Sequence, residues 1–112
     1  MKPITVITRV VVKPGQLDAF IKCQKNFIKS LLEGDFGLLD SSVYPGVDGD
    51  LAVQISRFSS MEARQRVGES EVFQTHLSEL IELTESFLSD VYEAPQILGR
   101  SDHASALPAG SV

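Results

Sequence analysis

The stretch Ile4-Thr5-Val6-Ile7-Thr8-Arg9-Val10-Val11-Val12, closed by Lys13-Pro14-Gly15, decides the fold. It is rich in β-branched residues, which favours a strand, and the Pro-Gly pair ends it. Side chains alternate across a strand, so Ile4, Val6, Thr8, Val10 and Val12 share one side, and Thr5, Ile7, Arg9 and Val11 the other. Both sides are mostly apolar. The strand is therefore expected at the centre of a sheet, covered on both faces.

Downstream, Leu17, Phe20, Ile21, Phe27, Ile28, Leu31 and Leu32 recur at helical spacing and form one apolar stripe. Gly34 stands where a helix C-cap glycine belongs. Leu38 to Tyr44 reads as a second strand, and Pro45-Gly46 with Asp48-Gly49 supplies turn chemistry leading into a third, Leu51 to Phe58. Ser59 and Glu62 have capping-box spacing and open a second helical region. Gly68 and Ser70 interrupt that region, with Ser70 able to serve as a new N-cap. The helix is then expected to run on through Phe73, Leu77, Leu80, Thr84, Phe87 and Leu88. Val91 to Leu98 reads as the last strand, at an edge because it contains Pro95. Residues 1–98 are expected to form one domain, and 99–112 a loosely held tail.

The resulting order, βαββαβ, is the α+β, ferredoxin-like plan with a four-stranded antiparallel sheet. Its helices cover one sheet face and leave the other bare. Burying that face at ~1.5–3 kcal/mol per large side chain gives on the order of 10 kcal/mol per chain. Association costs ~4–15 kcal/mol, so two copies can offset it together. A two-fold homodimer through the open sheet face, a dimeric α+β barrel, is the expected assembly.

Composition narrows the partners. The chain has 112 residues, 43% of them hydrophobic, and a net charge of −5. No concentrated basic face exists for nucleic acid or an anionic membrane; Lys13, Lys22, Lys25 and Lys29 read as a solvated helix face. Cys23 is the single cysteine, which rules out an intrachain disulfide. With His76 and His103 at no ligand spacing, neither a metal nor another cofactor is expected. Met1-Lys2-Pro3 leads straight into a strand without signal-peptide character, so the expected location is cytoplasmic.

The residues then resemble a family. Val12-Lys13-Pro14-Gly15 before the helix is similar to the V-K-P-G start of antibiotic biosynthesis monooxygenase domains. Gly37-Leu38-Leu39-Asp40-Ser41-Ser42-Val43-Tyr44 resembles their P-G-C-x-x-Y-x-x-Y strand, without the cysteine and first tyrosine. Arg57-Phe58-Ser59-Ser60-Met61-Glu62-Ala63 resembles E-R-W-x-x-x-E-A, and Val72-Phe73-Gln74-Thr75-His76-Leu77 resembles H-F-x-x-L. The resemblance spans Ile4 to Leu98. It implies a dimeric barrel with a pocket in each subunit between sheet and helices. Some members oxidise aromatic polyketides or quinols with O₂ and no cofactor, and others degrade haem, so the fold leaves the chemistry open. The chain departs from the oxygenase pattern in having no tryptophan, with Phe58 where tryptophan is common and Ser56 where glutamate is common. The Asn, Trp and His of the haem-degrading branch fall on Thr8, Val67 and Leu77. His76 is one place out of register, and one helical residue turns a side chain by about 100°. Haem degradation is disfavoured.

Candidate site residues follow. Gln24 lies on the inward side of the first helix, as a pocket contact or as a stripe-edge residue reaching water. His76 shares a helix side with Phe73 and Leu80 and is the candidate catalytic base, or else a hydrogen-bonded core histidine. Thr8 faces the helices if the resemblance sets the strand's facing. Tyr44 and Arg57 end strands near the expected pocket mouth, to hold a phenolic or anionic group or simply as solvated strand ends. Arg9, on the other face, would need a carboxylate partner inside a dimer. The leading functional expectation is a cofactor-independent monooxygenase acting on a small aromatic molecule of quinol or polyketide type. The alternatives are a non-catalytic dimer that binds a small metabolite and a polyketide cyclase on the same barrel.

Overall fold

A computed structural model describes residues 2–100. The tail beyond residue 100, including His103, lies outside the described residues. The elements run β1 (Ile4–Val12), α1 (Leu17–Glu33), β2 (Leu38–Pro45), β3 (Leu51–Phe58), α2 (Met61–Gly68), α3 (Glu71–Leu83) and β4 (Thr84–Glu93). The strands form one four-stranded sheet in the order β2-β3-β1-β4. Every neighbouring pair is antiparallel. β1 is central, as its two apolar faces require.

Three boundaries differ from the sequence reading. The last strand is Thr84–Glu93, not 91–98, and it takes Phe87 and Leu88 out of the helix. β1 exposes a second row of backbone N–H and C=O groups, and those groups need partners along its length. Residues 84–93 supply them from Ile4↔Glu93 to Val12↔Thr84, with one irregularity between Val11 and Val12. Thr84 marks the switch: its backbone is extended (φ −124°, ψ 151°), and its Oγ1 donates to the Leu80 carbonyl at 2.8 Å, ending α3. Pro95 falls beyond the strand, so β4 is an edge by topology and not because of proline. The second helical region is capped by Ser60 rather than Ser59, with Ser60 Oγ accepting from the Ala63 N–H at 3.1 Å. Ser59 is placed differently by the approach of Gly37, whose φ is +88° and whose carbonyl accepts from the Ser59 N–H at 2.8 Å. A Cβ at Gly37 would stand 2.7 Å from Ala63 Cβ, so this crossing requires glycine.

Ser70 caps α3 through the Phe73 N–H at 3.1 Å, and Gly34 caps α1 by donating to Ser30 O at 3.0 Å. The side-chain caps are separable contributions. Ser60→Ala is expected to cost ~1 kcal/mol in urea unfolding, and more than Ser59→Ala, because only Ser60 satisfies a helix N–H with its hydroxyl.

All helices lie on one sheet face, and the apolar core there has two lobes. One joins Val6, Leu31, Leu38, Phe58, Ala63 and Val67; the other joins Val10, Val12, Phe20, Ala52 and Leu80. Between the lobes the inward-facing residue is polar on each principal element. On β1, Thr8 separates Val6 from Val10; on β3, Gln54 and Ser56 separate Ala52 from Phe58. On α1, Gln24 separates Phe20 from Leu31; on α3, His76 separates Phe73 from Leu80. Sheet register sets Thr8 directly opposite Gln54. The core is therefore cut by a polar belt.

Candidate functional site

A cavity of about 690 Å³ opens at this belt, between the sheet and the helices. Apolar walls come from Val6, Phe27, Ile28, Leu31, Phe58 and Phe73, together with Phe87 on β4. Its volume is in the range of small-molecule sites, and a few convergent polar groups on an apolar lining are the usual composition of such sites. Those polar groups are Thr8, Gln24, Gln54, Ser56, Gln65, His76 and Ser89. Arg64 and Glu69 of the α2 region also line it, and they are its charged lining residues.

Part of the belt is wired as a chain. Gln24 Nε2 donates to Gln54 Oε1, and Gln54 Nε2 donates to Ser41 Oγ at 3.0 Å; Ser41 and Ser56 hydroxyls lie 2.7 Å apart. Thr8 Oγ1 and Ser89 Oγ make a second pair at 2.8 Å across β1 and β4. Gln24 is buried, and its Oε1 has no hydrogen-bond partner among the described residues. A buried acceptor left unpaired costs about 1–3 kcal/mol, so the chain ends on a group that lacks a donor.

His76 is buried to 6% exposure and lies flat on Phe27, with ring centroids 3.9 Å apart and planes within 1°. Burial pushes its imidazole down to about 4, against a smaller upward pull from Glu79. The ring is thus neutral near pH 7, with one nitrogen carrying a lone pair, and it is a weaker base than a free imidazole until a nearby charge or ligand offsets the burial. Nδ1 stands 3.6 Å from Cys23 Sγ. Burial, with Glu79 beside it, pushes the Cys23 thiol up to about 11, so the sulfur stays protonated and is no nucleophile at neutral pH.

Of the residues singled out in the sequence, the structure brings Thr8, Gln24 and His76 together around the cavity. Tyr44 and Arg57 are elsewhere, which corrects their expected position at the mouth. Strand parity explains it: Val43 and Phe58 pack towards the helices, so their neighbours Tyr44 and Arg57 project from the open face. There Tyr44 is 58% exposed. Arg57 is held by Asp40 on the adjacent strand, its Nε 2.9 and 3.0 Å from the two carboxylate oxygens. That guanidinium holds the Asp40 carboxyl below its ordinary range. Arg9, on the same face, lies 3.6 Å from Asp90.

The sequence reading missed Gln54, Ser89, Cys23 and Glu79 as parts of this region. The signal for Gln54 was present: it shares the inward register of β3 with Ala52 and Phe58, where an apolar residue is the ordinary occupant. No set of three or more His, Cys, Asp or Glu among the described residues is placed to hold a metal ion. No helix among them is long and apolar enough to cross a membrane.

No family model matches the sequence, and no curated protein shows significant similarity to it. Solved structures do match. SnoaB, a cofactor-independent oxygenase from Streptomyces nogalater, superposes with a TM-score of 0.77 at 17% identity, covering 89% of this chain and 100% of its own. A conserved protein from Methanosarcina mazei Go1 gives 0.74 at 20% identity, over 85% of this chain and 95% of the other. A candidate antibiotic biosynthesis monooxygenase from Caulobacter crescentus CB15 gives 0.76 at 14% identity, over 85% and 92%. At such identities the likeness establishes architecture: this chain has the α+β, ferredoxin-like fold seen in SnoaB and in structures assigned to antibiotic biosynthesis monooxygenases.

Proposed function

We propose that the protein is a cofactor-independent monooxygenase whose cavity takes a small phenolic or quinol-like aromatic. The observation that carries this reading is the polar belt: an apolar cavity with a neutral, buried histidine and hydroxyl and amide groups facing one another across it. A flat aromatic body suits the Phe27, Phe58, Phe73 and Phe87 lining. Its hydroxyl would give its proton to His76, and Gln24, Gln54 and Thr8 would orient it. A deprotonated, electron-rich ring can pass an electron to O₂ directly, in a site where water is excluded. For a methylene flanked by aromatic rings the balance is R₂CH₂ + O₂ → R₂C=O + H₂O, so no outside reductant is needed. The fold shared with SnoaB supports the same reading.

In this reading a second copy covers the open sheet face. That face carries Ile7, Val11, Tyr44, Leu51, Val53, Ile55, Leu88 and Tyr92, of which Leu51, Leu88 and Tyr92 are 56%, 55% and 49% exposed. At strand spacings of about 4.8 Å and rises of about 3.3 Å, the sheet presents roughly 500 Å² per chain. Two such faces reach the ~1,000 Å² that a specific interface needs. The charges on the face are already paired, Arg9 with Asp90 and Arg57 with Asp40, which lowers the cost of burying them. Ile55→Asp is expected to convert a dimer of about 24 kDa into monomers by light scattering, twice the 12.2 kDa chain mass being the starting value. If Ile55→Asp leaves the mass unchanged, the interface lies elsewhere.

The function is tested with an oxygen electrode and a panel of hydroxynaphthols and anthrones. Uptake above the uncatalysed rate, with one O₂ consumed per product formed, is the expected result. Thermal stabilisation by a panel member without oxygen uptake would instead make the protein a binding module. Ring closure of an open poly-β-ketone chain that proceeds under nitrogen would make it a cyclase.

A further inference from the structure

We propose that Cys23 and Glu79 are positioning residues that hold His76 in the tautomer protonated on Nδ1, leaving Nε2 bare for a cavity ligand. This rests on the oxygenase reading for its purpose, but the tautomer is a property of the protein alone. Cys23 Sγ lies within hydrogen-bonding distance of two groups, His76 Nδ1 and Glu79 Oε2, each at 3.6 Å. A thiol has one proton to give. The carboxylate, as the charged acceptor, is the stronger competitor for it, so the S–H points to Glu79. The sulfur then meets His76 with a lone pair, and a neutral imidazole can satisfy that contact only by carrying its single proton on Nδ1.

The placement of the ring makes the consequence specific. His76 lines both the inner cavity and an outer cleft of about 400 Å³ between α1 and α3, where Cys23 and Glu79 also lie. Cys23 and Glu79 do not line the inner cavity, so Nδ1 is taken up on the cleft side and Nε2 is the nitrogen left for the inside. Stacking on Phe27 prevents the ring from tilting out of this arrangement. When Nε2 accepts a proton, the positive ring has the sulfur lone pair and, behind it, the Glu79 carboxylate, which stabilises the charge electrostatically. The wrong tautomer would present an N–H to the ligand hydroxyl and could take no proton from it. Three residues from two helices therefore set the direction of proton transfer. Glu79 lies one helical turn beyond His76 on α3, and Cys23 faces them from α1.

The test is long-range proton–nitrogen correlation on the full chain labelled with ¹⁵N-histidine at pH 7.5. His76 is assigned by the signal absent from His76→Phe, since His103 is the other histidine. The wild type is expected to show His76 protonated on Nδ1 in about tenfold excess or more. In Cys23→Ala and in Glu79→Gln the excess is expected to fall to near unity or to reverse. Glu79 is exposed, so Glu79→Gln leaves the packing intact and keeps the test informative if Cys23→Ala is poorly folded. A wild-type His76 protonated on Nε2 overturns the proposal, and so does an Nδ1 preference that survives both substitutions. Neither result needs a substrate. Absence of oxygen uptake by a protein with the expected tautomer would instead count against the oxygenase reading alone.

Discussion

His76→Phe is expected to lower oxygenation of a hydroxynaphthol by about 10²–10⁴-fold while making the protein more resistant to acid. The rate loss follows from removing the base, and the acid resistance from removing a buried group that must take up a proton on unfolding. The folded protein holds the imidazole down at about 4, against 6.5 when it is free, so between those values the unfolded chain binds the extra proton. The stability that the neutral ring contributes is complete above about pH 6.5 and is lost as pH falls through about 4. A shift of this size at a cavity wall, discounted for solvent screening, corresponds to on the order of 2 kcal/mol. Phenylalanine keeps the stack on Phe27 and has nothing to protonate, so the slope attributable to His76 disappears. Urea midpoints at pH 7.5, 5 and 4 should fall more steeply for the wild type than for His76→Phe. Parallel curves would show that His76 is not held neutral.

Phe20→Ala carries the largest expected loss of stability, about 3–5 kcal/mol, or ~10–25 °C in melting temperature. Phe20 has no exposed surface and packs with Val10, Val12, Ala52 and Leu80, so its removal leaves a void in close-packed surroundings. Against a total of ~5–15 kcal/mol for a domain of this size, that is a large share. Leu32, on the same helix but 54% exposed, provides the contrast: Leu32→Ala is expected to stay within about 1 kcal/mol. Comparable losses at both positions would mean that α1 is rotated from the placement described.

Much of the architecture was legible because periodicity is a local signal. The two-faced Ile4–Val12 run, the 3.6-residue stripe from Leu17 to Leu32 and the cap at Ser70 each follow from residues within one element. The end of the chain was not, because Thr84 to Leu88 fits either a helix stripe or a strand. What settles it is the unpaired edge of β1, some 80 residues away. Within the site, Gln24 and His76 were visible as polar residues on apolar stripes. Their partners were not, since Cys23 approaches His76 from another helix and Gln54 reaches Gln24 from the sheet. Tyr44 and Arg57 had side-chain chemistry that suited the site, but strand parity sets them on the far face. A polar residue can be recognised in its own element; the assembly of a site from several elements depends on register.

The claim on which the rest depends is that an aromatic alcohol enters the belt between the two lobes and offers its proton to His76. A crystal structure of the protein with 1-naphthol, grown and soaked under nitrogen, tests it most directly. The expected result is a ring between the Phe27 and Phe58 walls, with its oxygen about 2.6–3.2 Å from His76 Nε2. A naphthol bound outside the cavity, or bound inside it with the hydroxyl turned away from His76, would contradict the account.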